Sequence, residues 1–152
     1  MDNLKSQITE NDTWTVAEGD YENTPFILRF RPNLIDFIDT KEYRQRHTIT
    51  CKYQSDDASL MPESEDFEYM GTIENHLVAA LEGELIAVLA FIYTGQNHKE
   101  WHWYVKEIEK ANRKIKAVSE KFNRLQLAIQ IEDEPDWKAY NAILQEVAAA
   151  GN

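Results

Sequence analysis

From Leu85 to Tyr93 the chain reads Leu-Ile-Ala-Val-Leu-Ala-Phe-Ile-Tyr, nine residues without a charge. The run is too short to cross a bilayer, which takes about 20 residues as a helix. It also lacks the polar alternation of a strand with one wet face. It reads as a strand covered on both sides, so whatever sheet it joins needs apolar material above and below.

The neighbouring segments supply candidates. Thr94-Gly95-Gln96-Asn97 is a hairpin turn and Lys99 to Val105 the returning strand. Upstream, Pro62 suits a first helical turn, and Glu63, Glu65 and Asp66 suit the positive end of its dipole. Phe67, Met70, Ile73, Leu77 and Leu81 then recur at helical spacing up to Gly83. Ile108, Ala111, Ile115, Val118 and Phe122 form a second amphipathic stripe. Leu125, Leu127, Ile129 and Ile131 alternate with polar or small residues as a strand with one wet face.

Before these elements, His47 to Tyr53 is β-branched and aromatic, another strand. Thr13–Ala17 and Phe26–Arg31 predict a hairpin joined by a turn over Glu18–Asn23. A last helix begins near Pro135 and buries Trp137, Tyr140, Leu144 and Val147. The expected fold is α+β: a ferredoxin-like antiparallel sheet (β-α-β-β-α-β) with an N-terminal β-hairpin and an extra C-terminal helix. It is expected as one domain over 1–152, with about the first dozen residues frayed. The C-terminal helix is the favoured cover for the second face of Leu85–Tyr93, which puts a monomer ahead of a homodimer.

The 152 residues carry a formal charge of -11. Such a surface repels phosphate backbones and anionic membranes, so no nucleic-acid or membrane partner is expected. It favours a basic protein partner or a cationic small ligand. Seven basic residues from Lys106 to Arg124 follow a stretch, Lys52 to Lys99, with none in between. Two helices of opposite sign are therefore expected to pair with one another. Cys51 is the one cysteine, excluding an intrachain disulfide and a cysteine-rich zinc site. With no signal-like apolar start, a cytoplasmic setting is expected.

The five glycines allow neither a P-loop nor a dinucleotide fingerprint, and no serine sits in a nucleophile elbow. No cofactor is implied. The sharpest pattern is His98-Lys99-Glu100-Trp101-His102-Trp103-Tyr104: on a strand, His98, Glu100, His102 and Tyr104 share one face. They form a candidate ligand or partner surface. As an alternative, His98, Glu100 and His102 could ligate zinc, but same-face neighbours about 7 Å apart are widely spaced for one ion.

Glu74 falls inside the stripe of its helix, where a carboxylate needs a partner or a pocket rim. It is the one catalytic candidate, with a Tyr hydroxyl or a basic residue of the second helix as its expected partner. Trp101, Trp103, Tyr104, Trp137 and Tyr140 read as core before they read as a ring-stacking site. Glu132-Asp133-Glu134-Pro135-Asp136 reads as a helix start capped by Asp133 and Asp136.

Leu60-Met61-Pro62, Ile73-Glu74-Asn75 with Leu77, Lys99 to Val105, and Pro135-Asp136-Trp137-Lys138-Ala139-Tyr140 together resemble a bacterial family, the domain of unknown function six-nine-five. Trp14, Pro25–Arg31 and the strand around Ile49 also fit, so the resemblance spans most of the chain. Family members usually carry Asp where Glu134 stands. The resemblance implies a bacterial origin, supplies no activity or catalytic residue, and implies for some relatives an association with domains like the ribonuclease-regulating protein B family. Two functions follow as expectations: a non-enzymatic acidic interaction or inhibitory module, or a small-ligand or metal-assisted enzyme using Glu74 and the His98/Glu100/His102 face.

Overall fold

The computed structural model describes residues 3–150. Among these, five helices and six strands follow in the order α1 Asn3–Gln7, β1 Thr15–Tyr21, β2 Thr24–Phe30, α2 Ile35–Asp39, β3 Gln45–Lys52, α3 Ser64–Glu82, β4 Ala87–Gly95, β5 His98–Val105, α4 Ile108–Lys121, β6 Leu127–Asp133 and α5 Lys138–Ala150. The strands make one sheet in the order β1-β2-β4-β5-β3-β6, with every neighbouring pair antiparallel. The architecture is mixed α+β on an antiparallel sheet. Among the described residues no helix is long and apolar enough to cross a membrane. The stretch 1–12, expected to fray, holds α1 and the buried Ile8; residues 1 and 2 lie outside the described chain.

Two tight turns organise the hairpins. Glu22 and Asn23 have φ of 51° and 67°, Gln96 and Asn97 of 52° and 65°. Positive φ at both central residues matches the right-handed twist of the flanking strands. The first hairpin corrects the expectation: β1 continues through Gly19 to Tyr21, so the turn is only Glu22-Asn23. Gly19 pairs with Phe26, whose ring lies so close that a Cβ on Gly19 would sit 2.5 Å from it. The glycine that looks like a turn signal is a seat for a cross-strand ring.

Leu85–Tyr93 is covered on both faces, as its composition demands. On the first face Leu89 and Ile92 of β4 join Trp101 and Trp103 of β5 beneath α3 and α4, which contribute Met70, Ile73, Leu77, Ala111 and Ile115. On the second, Val88, Phe91 and Tyr104 lie beneath Trp137 and Tyr140, the start of the C-terminal helix region. Tyr104 and Trp137 stack with ring centroids 3.8 Å apart and 7° between planes. The second cover also includes α2 through Phe37 and the preceding Leu34, an element not expected from the sequence. Its five residues are too few to show a period. Among the described residues no ion pair joins α3 to α4 themselves; Arg124, three residues past α4, pairs with Asp66 of α3 at 3.1 Å, beside Tyr69.

A register shift between Leu89 and Phe91 interrupts the β4–β5 ladder. Such a bulge leaves backbone groups unpaired, and here a buried charge pair takes them up. Glu82 Oε2 accepts from the Leu89 N–H at 2.7 Å, and Arg31 Nη1 donates to the Leu89 carbonyl at 2.9 Å. The two side chains meet through two hydrogen bonds of 2.6 and 3.1 Å. Arg31 Nε adds a bond of 2.9 Å to Asp12. The pair ties β2, α3 and β4 together.

Candidate functional site

Because strand side chains alternate, β5 sends His98, Glu100, His102 and Tyr104 to the second face, and Lys99, Trp101 and Trp103 to the first. The sequence-selected face lines a cavity of about 590 Å³ between the sheet and α5, within the range typical of ligand pockets. His98, Glu100 and His102 lie along one wall with Arg46, while Tyr21, Phe26, Phe91 and Tyr93 supply aromatic surface, and Ala142, Ile143 and Glu146 come from α5. Tyr104 is set deeper. It stacks on Trp137 and donates to Glu134.

Glu100 bridges the two histidines. His98 Nε2 is 3.0 Å from one carboxylate oxygen and His102 Nε2 is 2.8 Å from the other. On the far side of His102, Arg46 Nη1 lies 2.9 Å and Thr48 Oγ1 3.2 Å from Nδ1. A guanidinium can only donate, so Nδ1 accepts and Nε2 carries the proton that goes to Glu100. The neutral ring is further favoured by burial, which pushes His102 below its ordinary value despite the opposing pull of Glu100. Phe91 stacks on it at 4.1 Å. The hydrogen bond from His102 in turn holds the Glu100 carboxyl below the usual range.

These commitments limit the chemistry. Neither nitrogen of His102 is free, and His98 Nδ1 faces the Gln96 carbonyl at 3.3 Å. Both nitrogens of each cleft histidine are thus engaged within the wall itself. Among the described residues no cluster of three or more His, Cys, Asp or Glu has the geometry to hold a metal ion. Cys51 lies in the other core, where burial pushes its thiol up to about 11; a nucleophilic thiolate needs the reverse.

Glu74 sits on the opposite face and cannot act on the same ligand. Its expected partners, a Tyr hydroxyl or a base from α4, are replaced by residues of the sheet. Arg29 Nη2 of β2 meets both carboxylate oxygens at 3.0 and 2.9 Å, Trp101 Nε1 donates at 2.9 Å, and Lys99 Nζ lies at 3.2 Å. Burial alone would raise the carboxyl, but Lys99, Arg29 and the indole N–H hold it below its ordinary value.

The acidic run before α5 is also reassigned. Glu134, not Asp133 or Asp136, accepts from a helix amide, the Ala139 N–H at 3.1 Å, while its other oxygen takes Arg46 Nε at 3.1 Å. Asp133 accepts from Gln45 instead, and the Asp136 backbone carbonyl from Asn141. The five candidate aromatics are all buried core. What the sequence did not reveal is the rest of the cavity. Phe26 arrives through the β2–β4 pairing and Glu146 through α5, contacts that no local spacing encodes.

A family model described as a family of unknown function, DUF695, matches residues 12–145. No curated protein and no solved structure matches the chain significantly.

Proposed function

The chain belongs to DUF695, a family of unknown function, and from the cleft against α5 we propose that it is a non-catalytic binding module that captures a cationic group presented by a basic protein partner. The observation that carries the reading is an ionised carboxylate, Glu100, set in a wall of aromatic rings. Aromatic faces and a carboxylate are the two surfaces that attract an ammonium or guanidinium. Arg46 is no obstacle, since Glu132 at 3.0 Å and Glu134 at 3.1 Å already compensate it. Glu146 at the rim forms no ion pair among the described residues. The -11 surface adds long-range attraction for a basic partner.

The same reading takes the protein as a single-domain cytoplasmic monomer that does not engage nucleic acid, in keeping with its charge, its one buried cysteine and the covered second face. It also takes β3-α3-β4-β5-α4-β6 as a ferredoxin-like split unit lengthened at one edge by β2 and β1. The order β4-β5-β3-β6, antiparallel throughout, supports this.

Titration with a Lys/Arg-rich peptide and with its lysine-acetylated, arginine-free counterpart tests the reading. The basic peptide should bind with affinity that falls steeply between about 0.05 and 0.3 M salt, and its amide shifts should map to His98–His102. Glu100→Gln, which keeps the bond from His102, should weaken binding about tenfold or more at unchanged melting temperature. Equal binding of the neutral peptide, or an unaffected Glu100→Gln protein, would overturn it.

A further inference from the structure

On the first face lies a smaller cleft of about 290 Å³, between β2 at Ile27 and Arg29, the Met61-Pro62 loop and α3. We propose that this cleft binds a small organic carboxylate with an apolar body, the carboxylate taken by Lys99 and Arg29 and the body lodged between Phe67 and Met61 over Gly71. The two clefts are separate sites on opposite sides of β5, so this inference does not rest on the cation-binding reading.

Local charge is the first support. Arg29 and Lys99 against the single carboxylate of Glu74 leave one positive charge in excess, within a molecule of net charge -11. An anion restores neutrality there; a cation would add to the excess. Lys99 is the second. Its ammonium has three N–H donors and only 6% of the residue is exposed, yet Glu74 is the one acidic partner it meets among the described residues. Burial accordingly pushes its amine below the ordinary value, with Glu74 resisting. Arg29 also keeps donors in reserve, because only Nη2 is engaged by Glu74.

Gly71 is the third support. Glycine inside a helix is the least favourable choice after proline, and crowding usually excuses it. Nothing crowds Gly71: a Cβ there would meet no atom within 4 Å. The space above it is the cleft's own volume. Phe67, one turn earlier on α3, is 61% exposed and forms an apolar side wall of the cleft.

Phenylacetate and its uncharged analogue phenylacetamide, titrated into the full-length protein by calorimetry and by amide-shift NMR, provide the test. Phenylacetate should saturate one site with shifts at Gly71, Lys99 and Thr94, and phenylacetamide should bind about tenfold more weakly or worse. Gly71→Leu places a side chain in the cleft without a clash at Cβ. It should abolish phenylacetate binding while the melting temperature holds or rises. Gly71→Ala should raise the melting temperature and keep binding. No saturable phenylacetate binding up to about 10 mM, equal binding of the amide, or undiminished binding by a folded Gly71→Leu protein would each overturn the proposal.

Discussion

Replacing Glu82 by leucine takes away one half of the charge pair that fills the β4 bulge. The variant would strand the Arg31 guanidinium, 4% exposed at its side chain, with the Leu89 carbonyl and the partly exposed Asp12 as its remaining partners. Breaking a buried pair from one side costs about 3–5 kcal/mol, and Asp12 argues for the lower figure. The Leu89 N–H loses its 2.7 Å acceptor as well, worth about 1–3 kcal/mol for a buried donor. The expected loss is therefore roughly 4–5 kcal/mol. In a chain of this size that is a fall in melting temperature of roughly 10–20 °C.

Arg31→Met should cost a similar amount, because it strands the carboxylate instead. The double variant, Arg31→Met with Glu82→Leu, removes both charges and leaves mainly the two Leu89 backbone groups unpaired. It should be no worse than either single variant, giving a coupling of at least about 4 kcal/mol. Urea unfolding followed by the fluorescence of the four tryptophans reads all three values, provided the slope with denaturant is unchanged. Effects that add within about 0.5 kcal/mol, or a single-variant loss below about 1 kcal/mol, would show that the pair does not hold the bulge.

Two further outcomes follow from the second face and its histidine. Burial lowers the folded-state value of His102, so below about 6.5 the unfolded imidazole binds a proton that the folded one refuses. Stability must then fall as pH falls from 7.5 to 5.5; the share due to His102, read as the difference between wild type and His102→Gln in urea midpoints, should approach about 1 kcal/mol, and identical pH profiles would refute it. Trp137→Ala removes the ring stacked on Tyr104 and the indole bond to the Tyr43 carbonyl; a loss of about 3–5 kcal/mol with self-association in sedimentation is expected, and a stable monomer would contradict α5 as the cover of that face.

The features legible in the sequence were those written in local period. Apolar spacing located α3 and α4, alternation placed His98, Glu100 and His102 together, and the two-sided run Leu85–Tyr93 required the second layer. The features missed depend on residues far apart in the chain. Glu74 finds Arg29 and Lys99 only because β2 pairs with β4 and β4 with β5. Arg31 and Glu82 meet across a bulge that nothing in Leu89-Ala90-Phe91 announces. Gly19 misled because a glycine beneath a ring and a glycine in a turn look alike on the page. The short α2, between a proline and a charged loop, offers too little repetition to be seen.

The position of β3 bears on how the chain is made. A growing polypeptide can close β1–β2 and β4–β5 on their own two-residue turns within microseconds of each hairpin's emergence. β3 has no such local partner. Synthesised before both, it must wait for His98–Val105 to occupy one side and then for Leu127–Asp133 to occupy the other. Until both have emerged, a β-branched segment, His47-Thr48-Ile49-Thr50-Cys51, has backbone edges open to any strand that passes. Protection of its second edge arrives only with β6, the last strand among the described residues. Slow or interrupted synthesis beyond Lys121 should consequently yield aggregates seeded at β3, and brief hydrogen-exchange labelling of stalled chains would find the β4–β5 amides protected while those of β3 still exchange.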